Sequence, residues 1–593
     1  MMDEMQTKTN RLQNSKLDCQ TSDNCLWNSF YAEVSSVRQK FGSLKSAGLK
    51  KAVYSSLFIL LFFSLTASAG PARRGFITRT QPDGTEIRVQ LIGDEHGHAY
   101  FTPDGQLMRR EADGWFKALS AKEERTFYAA RQRAGKKVAS YRMDDFPNTG
   151  HIHGVVLLVA FADVPFSADS ASVHDLLADR YNTENYTEQF SYSFYSPTYR
   201  DSLSISGTIS GSARDYFRDQ SLGRFTPTFD VFGPITLDNN RIYYGGNERS
   251  GKDTNARGMI KDACRKAYDM GLTDFTPYDN DGDGYVDYVY VVYAGNDEAQ
   301  FGPEESIWAH AWTLTSPLQL GNMRISRYAC SGELLIDSPD VPAGIGTFVH
   351  EFSHVIGLPD FYNTALKSGE EDYCLDYWSV MDYGLYCLEG YNPAGYTSFE
   401  RYSMGWIPAR DLDEPQTVTL QTTDEDPVMY RTFVNDGDTT SFFVFENIQR
   451  TGWNANKPAY GLMITGVNYN ASAWVGNSVN TNKKQHRYHI VPANNDYSYN
   501  AESDQLYGKD NTEFSPESTP ASVTQLGDTL WKPVTNITRE KDGPCIFVFM
   551  GGDNIVSPTL DRKGDEKPEE IIRLNEHIAI VRRAGSIHKV FVR

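Results

Sequence analysis

The chain has 593 residues, a formal net charge of −20, 40% hydrophobic residues and 13% aromatic residues. This length exceeds one ordinary domain, and the composition is that of a globular protein able to bury sizeable cores. The acidity argues against a nucleic-acid partner, whose phosphates such a surface repels.

Near the start, "KKAVYSSLFILLFFSLTASAG" sets Lys50 and Lys51 before an apolar run from Leu57 to Leu65, then Ala67-Ser68-Ala69. This is the pattern of a secretory signal cleaved between Ala69 and Gly70, and the apolar run is short for a membrane anchor. The expectation is export to the outside or the outer surface of the cell, with residues 1–69 absent from the mature chain. The polar stretch 1–48 is expected to reflect an overlong gene start. Nothing later reads as a transmembrane helix.

Residues 70–148 carry short alternating runs broken by Pro-Asp-Gly at 82–84 and 103–105, the pattern of hairpins. The basic stretch "RQRAGKKVASYRMDDFPNTG" closes this segment as a linker, with processing expected near Arg131 to Arg142. From 149 to 410, buried strands at 153–163 and 285–295 alternate with helical patterns near 211–221 and 255–270. A helix from Pro342 to Gly357 and another over 396–404 complete an α/β domain. From 411 to 553 the runs "QTVTL", "VMYRTFV", "SFFVFENIQ", "GLMITGV", "HRYHIVPA" and "PCIFVFMGG" read as an all-β sandwich. The tail, 554–593, is a sorting or docking segment. Beyond the signal region the cysteines number five (Cys264, Cys330, Cys374, Cys387 and Cys545). At least one is therefore unpaired within the chain; Cys374 and Cys387 are a candidate disulfide.

The stretch "HEFSHVIGLPDFY" carries the chemistry. His350 and His354 lie four apart, so on a helix both imidazoles point to one side and can share a cation. Glu351 is offset around the helix, beside the ion, where it can act on water. This is the H-E-x-x-H arrangement of a zinc hydrolase. Gly357 ends the helix and lets the chain turn back, so Asp360 is the expected third ligand; Glu370, Glu371 and Asp372 compete for that role. Downstream, Ser379-Val380-Met381-Asp382-Tyr383 has the form of a Met-turn. Met381 is expected as an apolar floor beneath the histidines, and the Tyr383 phenol as a donor to an oxyanion. A core helix with merely satisfied histidines is the bland alternative, and the joint pattern weighs against it.

Upstream, "DNDGDGYVD" places Asp279, Asp281, Asp283 and Asp287 around two glycines. Alternate carboxylates on such a loop suit a structural calcium, although Tyr290 stands where an EF-hand has its bidentate Glu. The competing reading is a tight turn capped by its own Asp side chains.

These stretches, with "SARDYFRDQSLGRFTPTFDVFGPI" and "SIWAHAW", resemble the immune inhibitor A family of secreted bacterial metallopeptidases, over roughly residues 75–550. The resemblance implies a metzincin-like zinc peptidase domain with an N-terminal propeptide and a C-terminal β-sandwich. One departure is Gly466, near which members of that family often carry histidine. The implied function is hydrolysis of peptide bonds in extracellular proteins, zinc-bound water being activated by Glu351 as general base. The expected cofactors are zinc and calcium, the partners are protein or peptide substrates, and the state is monomeric. A latency device is expected in 70–148, either an acid such as Asp94 or Glu95, or His96 or His98, reaching the metal, or simple coverage of the cleft. The rival reading is a surface adhesin on an inactive peptidase scaffold, against which the intact Glu351 argues.

Overall fold

The computed structural model describes residues 70–81, 83–94, 97–111, 115–120, 122–124, 126–127, 148–196, 201–248, 251–365, 372–435, 437–552 and three strands between 570 and 591. The signal region, the processing linker and Glu95, His96, Glu370 and Glu371 lie outside the described residues.

An antiparallel meander comes first: β1 (Phe76–Thr80), β2 (Glu86–Asp94), β3 (Gly97–Phe101), β4 (Leu107–Arg110) and β5 (Phe116–Ala118), in that spatial order. Asp83-Gly84 and Asp104-Gly105 fall at its turns, with Gly84 at φ +82° and Gly105 at φ +81°, a conformation natural to glycine.

The central sheet contains β6 (Gly150–Ala160), β9 (Phe225–Thr236), β10 (Tyr285–Val286), β11 (Val289–Asn296), β12 (His310–Leu320) and β13 (Met323–Leu334). Its order is β10-β13-β11-β6-β9, all parallel, while β12 lies antiparallel to β13. Both faces are covered, which explains the unbroken apolar run of β6. Val156 and Leu158 face a core with α1 (Ser170–Asn182), α2 (Ala213–Gln220) and α4 (Gly346–Val355); Val155, Leu157 and Val159 face α3 (Ala256–Asp269). Between α1 and α2 stands a two-stranded hairpin, β7 (Thr187–Ser196) and β8 (Asp201–Ser210).

Helix α4 begins at Gly346, not at Pro342. Pro342 instead pairs with Leu334 in an isolated bridge. A Cβ on Gly346 would stand 2.1 Å from the Leu385 carbonyl, so the first turn of this helix packs against the backbone of 385–391 in a way only glycine allows. A short helix, α5 (Ser398–Ser403), follows, its N-terminus closed by a capping box between Thr397 and Glu400.

Beyond it, β14 (Ala409–Asp411), β16 (Met429–Phe433), β17 (Ser441–Ile448), β18 (Gly461–Asn468) and β19 (Tyr488–Ile490) form one sheet. A second joins β15 (Gln416–Leu420), β21 (Cys545–Phe549) and β20 (Val534–Arg539). Residues of both, including Val418, Phe443, Phe445, Ile464, Phe547 and Phe549, share one apolar core. The other face of the larger sheet does not stand apart: Phe442, Val444, Met463 and Tyr488 belong to the same core as Phe348 and Phe352 of α4. Three strands, Glu570–Arg573, Ile578–Arg583 and Ser586–Phe591, pair antiparallel at the end of the chain. Cys374 and Cys387 are both free thiols, as are Cys264, Cys330 and Cys545; the candidate disulfide is not formed. Among the described residues no helix is long and apolar enough to cross a membrane.

Candidate metal centre

Helix α4 is apolar on the side that meets the sheet. Phe348 lies 4.3 Å from the Tyr290 ring, and Phe352 lies 4.7 Å from Tyr288. Each such side chain contributes roughly 1.5–3 kcal/mol of burial. That packing fixes which way the remaining residues, His350, Glu351 and His354, point. The helix closes at Val355, and Gly357 adopts φ +110°, which a side chain would strain. Its N–H reaches the His354 carbonyl at 3.1 Å, and that of Leu358 reaches Ser353 at 3.0 Å. The turn brings Asp360 back over the helix.

Three atoms then meet. His350 Nε2 and His354 Nε2 are 3.1 Å apart, and Asp360 Oδ1 lies 3.3 and 3.2 Å from them. The near-equilateral triangle matches the ~3.3 Å edge of a tetrahedron with bonds of about 2.0 Å to zinc. The tautomers are fixed. His350 Nδ1 donates to the Val380 carbonyl at 2.8 Å, and His354 Nδ1 donates to the Leu358 carbonyl at 2.7 Å. A carbonyl only accepts, so each proton sits on Nδ1 and each Nε2 presents a lone pair. Two lone pairs and a carboxylate oxygen converging in a buried place repel one another unless a cation sits between them. The donor set therefore fits a divalent metal. Asp360 Oδ1 makes no hydrogen bond among the described residues, while Oδ2 accepts from Asn477 Nδ2 at 2.6 Å and the Asp360 N–H donates to Asn477 Oδ1 at 2.7 Å. Burial alone pushes the Asp360 carboxyl up, and positive charge beside it, carried by the imidazoles when protonated, outweighs burial and holds it below the usual carboxylate range.

Glu351, next to His350, is fully buried. Its Oε1 accepts the backbone N–H of Gly70 at 2.8 Å. The segment after Gly70 continues along the site: Trp308 Nε1 donates to the Gly70 carbonyl at 3.1 Å, Tyr386 Oη to that of Pro71 at 2.8 Å, and the Arg73 N–H to that of Ala299 at 2.8 Å. Of the expected acids and histidines from 70–148, the two among the described residues, Asp94 and His98, do not meet the site. Asp94 accepts Gly97 N–H within its own hairpin, and His98 pairs with Glu298 at 2.9 Å while stacking on Trp308. Backbone covers Glu351 instead.

Met381 is fully buried, and its carbonyl accepts the Phe361 N–H at 2.9 Å, directly after Asp360. The turn 379–383 thus grips the metal helix through Val380 and the returning loop through Met381. Tyr383 lies under the guanidinium of Arg74, 3.7 Å from its ring, and burial raises its phenol to about 12. Asp372 is not with the triangle. It accepts from His486 Nε2 at 2.8 Å and from Asn363, and with Cys374 and His486 forms a separate ligand-like group.

In the acidic loop, Asp279, Asp281 and Asp283 converge, but Asp287 does not join them; its carboxylate accepts from the backbone and side chain of Asn280 at 2.9 and 2.6 Å. Asp279 accepts the N–H groups of Gly282, Asp283 and Gly284, the geometry of a self-capped turn. At Gly466, which pairs with His489, an added Cβ would lie 2.7 Å from the His489 ring. An imidazole thus fills that space from the neighbouring strand, neutral because burial, helped by His486, lowers it to about 3.

Residues 149–407 match the family profile of the immune inhibitor A peptidase M6 catalytic domain. The chain thus contains a domain that matches the immune inhibitor A peptidase family. It is 26% identical over 270 residues to "Immune inhibitor A" of Bacillus thuringiensis subsp. alesti, covering 41% of this chain and 38% of that protein. It is also 26% identical over 312 residues to "Pre-pro-metalloprotease PrtV" of Vibrio cholerae serotype O1, covering 46% of this chain and 33% of that one. The match thus spans under two fifths of the length of either relative. The M6 domain holds the triangle, Glu351 and the 379–383 turn, and is a metallopeptidase domain. Sequence reasoning missed Asn477, which orients Asp360 from 117 residues away, and the Gly70 contact, 281 residues from Glu351. No local pattern marks either.

Proposed function

We propose that this chain is an exported zinc endopeptidase kept latent by its own N-terminal segment. The observation that carries the reading is the triangle of His350 Nε2, His354 Nε2 and Asp360 Oδ1 beside a buried glutamate. Zinc held there supplies a Lewis acid and lowers the pKa of a bound water towards roughly 7. Glu351 takes the water's proton and returns it to the leaving amine. Tyr383 donates from its Oη to the developing oxyanion, leaving its ring face to stack. The substrates are extracellular proteins or peptides, and the working state is a monomer.

Residues 70–148 act as the propeptide. Cleavage between Ala69 and Gly70 turns the Gly70 nitrogen into an α-amino group, so that its bond to Glu351 becomes charge-assisted and ties up the general base. Removal near Arg131 to Arg142 frees it. Residues 411–553 serve as a β-sandwich buttress that delivers Asn477 to the metal site, and 554–593 as a sorting or docking tail. A calcium ion on Asp279, Asp281 and Asp283 is a separate proposal, supported by their convergence alone.

The test is cleavage of casein or gelatin by the full chain after processing, with and without a strong chelator, and by Glu351→Gln. Both treatments are expected to abolish cleavage. Activity surviving either one overturns the mechanism, and full activity with 70–148 attached overturns the latency.

A further inference from the structure

The segment 70–74 lies along the site as a bound peptide does, and two of its side chains are cations. Arg73 pairs with Glu389 and lies over Tyr386. Arg74 goes deeper. Its guanidinium stacks 3.7 Å over the Tyr383 ring and pairs through Nη1 with Oδ2 of Asp376, a carboxylate with no solvent exposure. Oδ1 of Asp376 is buried with no hydrogen-bond partner among the described residues. Two more buried acids stand with it. Asp382 accepts the N–H groups of Leu375 and Asp376 at 3.0 and 2.8 Å, and Glu502 accepts from Tyr373 Oη at 3.0 Å. Burial first, and the charge of Asp376 second, raise Asp382 to about 7 and Glu502 to about 9, while Arg74 pulls both back. Arg74 is thus the cation set among three buried acidic side chains and paired directly with Asp376. Beside it lies a cavity of about 340 Å³ bordered by Arg74, Tyr383, Tyr362, Asn363 and Tyr373.

When the segment leaves, this arrangement loses its countercharge. A buried carboxylate group without a cation is costly, and a stacked guanidinium is what its shape already accommodates. We propose that Tyr383, Asp376, Asp382 and Glu502 form a substrate subsite for a cationic side chain, arginine before lysine, four residues beyond the one that takes the place of Gly70 beside Glu351. Arginine leads because its planar fork both stacks on Tyr383 and pairs with Asp376, whereas the lysine ammonium is a point charge. The proposal rests on the peptidase reading and adds to it a substrate class: polypeptides with a basic residue at that position.

The test uses enzyme obtained by processing the full-length chain, and pairs of quenched peptides that differ only by Arg or Gln at one scanned position. At one position the Arg peptide is expected to have kcat/KM at least about tenfold higher. Asp376→Asn and, as a second variant less entangled with the turn, Glu502→Gln are each expected to move that ratio towards one. A ratio within about twofold of one at every position, or a ratio untouched by both variants, overturns the subsite. If neither peptide is cleaved, the peptidase reading fails separately, and fluorescent Gly-Pro-Ala-Arg-Arg-Gly and its fifth-position Gln analogue then report the subsite by binding. The Arg form is expected to bind about tenfold tighter, and equal binding overturns the proposal.

Discussion

Replacing Asp360 with asparagine preserves size but sets two demands against each other. Oδ1 of Asp360 closes the triangle with the two Nε2 atoms, and Oδ2 accepts from Asn477 Nδ2 at 2.6 Å. In the variant, presenting the amide oxygen to the metal turns the amide NH₂ towards Asn477 Nδ2, donor against donor. Asn477 cannot flip to relieve this without losing the Asp360 N–H bond to its Oδ1, at 2.7 Å. Losing a charge-assisted hydrogen bond costs about 1.5–3 kcal/mol, and losing the anionic ligand adds to it. The expected total of about 2–4 kcal/mol is a ~30- to 1,000-fold rise in the zinc dissociation constant. Competition against a chromophoric chelator measures it directly, with circular dichroism as a check on folding. A variant that folds and binds zinc within about threefold of the parent refutes the assignment of Asp360 as ligand.

Glu351→Gln should lower peptide cleavage by roughly 10²- to 10⁴-fold while leaving zinc stoichiometry unchanged, as metal analysis beside a rate assay would show. Tyr383→Phe should lower kcat by about 10²-fold with little change in KM, read from Michaelis profiles of the processed enzyme. One residue retained ahead of Gly70 leaves the donor to Glu351 a neutral amide instead of an α-amino group, and the chain with 70–148 attached should gain about tenfold in peptide cleavage over its own baseline; no gain contradicts the charge-assisted latency contact. Burial raises the Asp297 carboxyl from its ordinary value to about 7, against the pull of N–H groups from Ala299 and Ala309. A raised acid makes the folded state bind more protons than the unfolded one, so its contribution falls as pH climbs from about 4 to about 7 and is flat below that range. Asp297→Asn should therefore gain on the parent across that window, by on the order of 3 kcal/mol at its top, in denaturant titrations at stepped pH.

What the sequence disclosed was what the chain keeps local. His350, Glu351, His354, Gly357 and Asp360 lie within eleven consecutive residues, so helical geometry and one glycine turn suffice to assemble them. The strands 416–420, 441–448 and 461–468 were equally plain because β-branched and aromatic runs are bounded by Asn, Asp and Gly. The hairpin β7–β8 escaped although Phe190, Tyr192 and Phe194, and Leu203, Ile205 and Ile209, alternate along its strands and face one core. Strand β12 escaped because Pro317 argues against a strand; the structure puts it on the sheet edge, where the register with β13 shifts between Thr313 and Leu318. The start of α4 was misplaced because Pro342 looks like a first-turn residue, whereas the true start is set by the backbone of 385–391, which no local signal reveals. The same holds for Gly70, Arg74 and Asn477, whose roles exist only once distant segments meet. Strands follow residue 411, where the sequence pattern changes, yet α4 and the sheet beyond that point share one core.

A rival group, Asp372, Cys374 and His486, lies elsewhere in the described structure and contains sulfur, whereas the proposed centre contains none. X-ray absorption at the zinc edge, on the full chain loaded with one equivalent of zinc, separates the two. Two imidazoles and a carboxylate oxygen at about 2.0–2.1 Å, unchanged in Cys374→Ser and lost in His350→Ala, are predicted. A sulfur scatterer at about 2.3 Å, or a first shell indifferent to His350, would contradict the metal centre on which the peptidase reading stands.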